Sequence, residues 1–64
     1  MNYQQKKIQN WLKDHQAIQL SKLEELAQLS TGTLFDLIEN HKEISEAEMN
    51  RLVKVLVDYG YKEN

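Results

Sequence analysis

The sequence contains no cysteine and no proline, and only two of its 64 residues are glycine. Without cysteine there is no disulfide and no thiolate metal site, so a fold must be held by packing and hydrogen bonds alone. Two glycines exclude a glycine-rich phosphate loop. Long apolar runs are also missing, the densest stretch being Val55-Leu56-Val57. That is far short of a membrane span or the apolar part of a signal peptide. No membrane association is expected, and a cytoplasmic location is. Period-two alternation is confined to Ile18-Gln19-Leu20, and Asn-Gly-type hairpin turns are absent, so no strand is predicted.

What remains has globular composition, with 41% hydrophobic and 28% charged residues. A chain of this size forms one small domain, 1–64, whose core supplies about 3–5 kcal/mol of net stability. Eight Lys and Arg stand against ten Asp and Glu, a net charge of −2 with a pI of about 5.6. The middle third is the most acidic, with Lys22 against Glu24, Glu25, Asp36 and Glu39. Nucleic-acid binders usually show the opposite balance, because neutralising phosphates provides much of their affinity.

Helical periodicity predicts four helices, at about 3–15, 22–28, 31–40 and 46–59. Asn2 and Gln5 stand as cap and partner of the first, with Ile8, Trp11, Leu12 and His15 at helical spacing. Ser21 and Glu24 have the spacing of a capping box for the second, whose inner face is read as Leu23, Leu26 and Ala27. Ser30 is the expected cap of the third, with Leu29 and Leu34 as a hydrophobic staple and Gly32 inside the first turn. Ser45 and Glu48 form a second capping box, with Ile44 and Met49 as its staple. Met49, Leu52, Val53, Leu56 and Val57 then face inward, and Gly60 with Tyr61 ends the fourth helix in a left-handed turn. The expected links are about five residues, one or two, and four or five, which points to a compact all-α, four-helix domain.

The stretch Leu23-Glu24-Glu25-Leu26-Ala27-Gln28-Leu29-Ser30-Thr31-Gly32-Thr33-Leu34-Phe35-Asp36-Leu37 resembles the helix-turn-helix of Cro-type phage and bacterial repressors. The matching positions are Leu23, Ala27, Leu29, Ser30, Thr33, Leu34 and Leu37. Ile38 to His41 is similar to the end of the third helix of those domains. The resemblance implies a central helix-turn-helix whose second helix enters the DNA major groove. Two positions depart from the family pattern. Glu24 stands where a small residue usually lets the helices pack closely. Gln28 stands where glycine usually takes a positive φ, at a cost of about 1 kcal/mol for glutamine.

On that resemblance Lys22, Ser30, Thr31, Gly32, Thr33, Phe35, Asp36, Asn40 and Lys42 are the candidate DNA-binding residues. Lysines 6, 7, 22 and 42 flank the motif as candidate phosphate contacts. Phe35 can meet a thymine methyl, and Asp36 can accept from a cytosine amino group. The function implied is a small DNA-binding transcriptional regulator. The acidic helix also fits another class of function, a protein-binding module or inhibitor presenting Phe35, Asp36 and Glu39 to a basic partner. Arg51, Val55 and Tyr59 lie off the inward face of the last helix and form a candidate homodimer interface.

Catalysis and cofactors are not expected. His15 and His41 are 26 residues apart with no second ligand at helical spacing. Ser21, Ser30 and Ser45 are accounted for as caps, and Glu24-Glu25 and Glu46/Glu48 as exposed first-turn acids favoured by the helix dipole. A chain this short is also expected to lack a substrate pocket of about 300 Å³ or more.

Overall fold

A computed structural model of the chain describes residues 3–63. They form α1 (Tyr3–Asp14), α2 (Leu20–Ala27), α3 (Thr33–Glu39) and α4 (Glu46–Val57), with no strand among them. The all-α, four-helix expectation holds. Asn2, the expected cap of α1, lies outside the described residues. No helix in the described part is long and apolar enough to cross a membrane.

The core is built from all four helices. Ile8 and Leu12 of α1 meet Leu23 and Ala27 of α2, Leu34 and Leu37 of α3, and Met49, Leu52, Val53 and Leu56 of α4, with Tyr61 closing one end. α2 packs along α4, while α3 rests on α1 and α2. Burying each of these aliphatic side chains contributes roughly 1.5–3 kcal/mol, most of it offset by the entropy of ordering the chain.

Two residues expected on inner faces are on the surface. Leu26 is 48% exposed and Val57 46% exposed. α2 is two turns long, and its buried side is taken by Leu23, Glu24 and Ala27. Glu24 replaces Leu26 there because its carboxylate has a partner inside the fold. Tyr3, at the start of α1, is exposed.

The helix ends explain most differences from the expected boundaries. α2 begins one residue before Ser21, with Gln19 in the cap position and no side-chain cap bond, so the expected Ser21 box does not form. α3 begins at Thr33 because Gly32 has φ 92, which no helical residue adopts. Gly32 is therefore the cap and not part of the first turn, and Ser30 contributes its carbonyl to the Thr33 N–H (3.1 Å) instead of capping with its hydroxyl. The link between α2 and α3 is residues 28–32, longer than the one or two expected. The Ser45 box forms as read: Glu48 N–H donates to Ser45 Oγ (3.1 Å), and Ser45 N–H donates to Glu48 Oε1 (2.9 Å).

α2 and α4 end in the same way. At α4 the Gly60 N–H donates to the Val57 carbonyl and the Tyr61 N–H to the Leu56 carbonyl, with Gly60 at φ 102. At α2 the Gln28 N–H reaches the Glu25 carbonyl and the Leu29 N–H the Glu24 carbonyl, with Gln28 at φ 59. Both are the Schellman pattern, which needs a left-handed residue after the helix. The positive φ expected at Gln28 is present, and glutamine supplies it.

Candidate nucleic-acid interface

The unit formed by α2, residues 28–32 and α3 is fastened at three points. The first is Glu24, expected at an exposed first turn but only 5% exposed. Its Oε2 accepts the Leu34 N–H at 2.8 Å, ten residues further on. A carboxylate at the start of a helix satisfies an otherwise orphan donor and lies at the positive end of the helix dipole. The second is Arg51 of α4, whose Nε donates to the Ala27 carbonyl (3.0 Å) and whose Nη2 donates to the Gln28 carbonyl (3.4 Å). These are carbonyls left unpaired where α2 ends.

The third fastening comes from α1, through two buried glutamines that the apolar pattern did not reveal. Gln5 Nε2 donates to the Lys42 carbonyl (3.1 Å), and Gln5 Oε1 accepts the Ile44 N–H (3.2 Å). Gln9 Nε2 donates to the Ile38 carbonyl (3.0 Å) and lies 2.9 Å from His41 Nδ1. The segment held this way turns at His41, which has φ 54. A glutamine on the inward face of a helix, at i and i+4, is the one sign the sequence offered.

α3 turns an open face outward. Phe35 at its centre is 57% exposed, and Glu39 one turn later is exposed. Thr31 is exposed, and Gly32 and Thr33 are half-buried. Asp36 is half-buried and already engaged, accepting from Asn40 Nδ2 at 3.0 Å, so neither side chain is unencumbered. Lys42 is exposed just beyond the helix. Lys22 is exposed on α2, 3.9 Å from Glu25. Such a surface ion pair is worth little and competes weakly for the ammonium.

Beside Phe35 runs a groove of about 280 Å³ lined by Leu12, Lys13, Gln16, Ile18, Leu20, Phe35, Ile38 and Glu39. It brings Lys13 and Gln16 alongside α3. Neither was selected from the sequence, because their nearness depends on how α1 lies across α3. A second groove, more open to solvent and about 460 Å³, borders Val53 and Val57 of α4. The chain therefore has hollows as large as the bound used above, and size alone is no argument against a substrate. Among the described residues no group of three or more His, Asp or Glu is placed to hold a metal ion.

The three residues read as a dimer surface are not alike. Arg51 is committed to α2, and Val55 is half-buried against the core. Tyr59 is 40% exposed. Trp11 is half-buried in a cluster that fixes the end of the chain to α1. His15 stacks on it (3.9 Å between ring centres), Tyr61 meets it edge-on (5.8 Å), and Lys7 Nζ lies 5.3 Å from the Tyr61 ring centre. Lys7, expected as a phosphate contact, is held there.

No protein-family model matches this sequence, and no curated protein and no solved structure shows significant similarity to it.

Proposed function

We propose that the chain is a cytoplasmic, helix-turn-helix DNA-binding regulator that presents α3 to the major groove. The observation that carries this reading is the α2–α3 unit itself. α2 stops at a left-handed residue, a short link follows, and Glu24 ties the start of α3 back to α2. That arrangement leaves Thr31, Phe35 and Glu39 facing outward, as a groove-entering helix requires. Lys22 and Lys42 flank α3 in sequence, and Lys13 adjoins it in space, each able to meet a phosphate. A net charge of −2 means few phosphate contacts and modest affinity.

The test is fluorescence anisotropy of a labelled mixed-sequence duplex at about 30 mM and about 200 mM salt. Phosphate contacts predict a loss of roughly tenfold or more across that range. Lys22→Ala should weaken this mixed-sequence binding more than Phe35→Ala does. No binding at the lower salt would remove the proposal.

One observation favours a second reading. A phenylalanine more than half exposed beside a groove of mixed apolar and polar lining also suits a protein anchor, here with the acidic Asp36 and Glu39 for a basic partner. Pulldown would then rank the two variants in reverse, Phe35→Ala being the more damaging. A homodimer would use Tyr59 as its exposed member, and Tyr59→Asp should abolish any concentration-dependent mass.

A further inference from the structure

We propose that α3 reads the C5-methyl group of a thymine through Phe35. The inference rests on the DNA-binding reading and names what that surface recognises. It starts from the chemistry that α3 can offer a base edge. Guanine and adenine are read in the major groove by paired donors and acceptors, supplied by Arg, Lys, Asn or Gln. α3 contains no Arg, Lys or Gln, and the amide of Asn40 just beyond it already donates to Asp36. That same bond engages Asp36 Oδ1 and leaves Oδ2 as an acceptor for cytosine. The outward stripe is Thr31, Phe35 and Glu39, one turn apart, with Phe35 in the middle.

The thymine methyl is the most prominent apolar group on a base edge in the major groove. Phe35 is the only large apolar side chain that α3 leaves mostly exposed. Phe35 also lines one groove with Ile38 and Leu20, which gives its ring apolar neighbours on the protein side. Glu39, one turn further on, is a second acceptor for a cytosine amino group. The one apolar contact of this surface therefore selects thymine.

The experiment selects a site from a random duplex pool at about 30 mM salt. Each thymine of that site is then replaced in turn by deoxyuridine, which removes only the methyl. One buried methyl corresponds to a loss of about three- to fivefold in Kd, expected at one thymine position. Phe35→Ala removes an exposed ring, so the fold should survive; circular dichroism checks this. This variant should bind the selected site about as weakly as wild type binds its deoxyuridine version. It should also bind thymine and deoxyuridine versions equally, closing the cycle. Binding with no enriched site, no thymine that responds, or a response that persists in Phe35→Ala would each overturn the inference and leave the DNA-binding reading standing. No binding by any duplex in the pool would overturn both.

Discussion

α3 and α4 start under carboxylates that work by different routes. At α4 the cap is local: Ser45 and Glu48 are three residues apart and satisfy each other's backbone donors. At α3 the carboxylate comes from the preceding helix, and Glu24 reaches Leu34 only when α2 and α3 are already packed. A local cap secures a helix. A cap borrowed from a neighbour secures the angle between two helices, so in this chain the candidate reading surface depends on the fold and the supporting helix does not.

Removing the borrowed cap should have the largest effect. Glu24→Ala leaves the buried Leu34 N–H without a partner, a loss of about 2–3 kcal/mol. That is about half or more of what a domain this small possesses, so thermal denaturation followed by circular dichroism should show a large fall in Tm. Glu24→Gln keeps an acceptor and should restore most of it. If Ala and Gln behaved alike, the bond to Leu34 would not be what fixes α3.

The two Schellman turns give the next test, with opposite signs. Gln28→Gly relieves a left-handed glutamine and should stabilise by about 1 kcal/mol. Gly60→Ala should destabilise by a similar amount. A Cβ at Gly60 would meet nothing within 4 Å, so the cost there is conformational and not steric. Urea titration of both variants reads the two signs directly. Ser45→Ala should cost about 1 kcal/mol in the same assay, because it removes the local cap of α4.

The smallest effect is a pH dependence at α4. The Ser45 N–H donated to its carboxylate holds Glu48 below its ordinary pKa of 4.5. A lowered pKa means that the cap stabilises above about pH 4.5 and loses that contribution as acid protonates the carboxylate. Glu48→Gln should flatten that part of the stability profile, slightly, since the group is near solvent.

These comparisons also show what the sequence made legible. Four helices could be read because apolar residues recur at helical spacing, and the start of α4 because all its parts lie within four residues. The start of α2 was misread for the converse reason. Ser21 and Glu24 have box spacing, but a buried backbone donor ten residues away claims the carboxylate. Gln5 and Gln9 were missed because a polar residue on an inward stripe looks like a defect until its partners on the α3–α4 link are known. The candidate site was legible as Thr31, Phe35 and Glu39. The nearness of Lys13 and Gln16 to α3, and the contacts that Asp36 and Lys7 make, are tertiary facts.

The two glutamines of α1 also bear on the order of folding. Their bonds close loops of 29 to 39 residues, whereas the Schellman turns and the Ser45 box close within five. Long loops carry the larger closure entropy and form late. The unit from α2 to α4 can therefore gain structure before α1 docks, and α1 acts as the latch that fixes the segment after α3. Amide hydrogen exchange should find the Ile44 N–H, which depends on Gln5, opening more readily than the Leu34 N–H, which depends on Glu24.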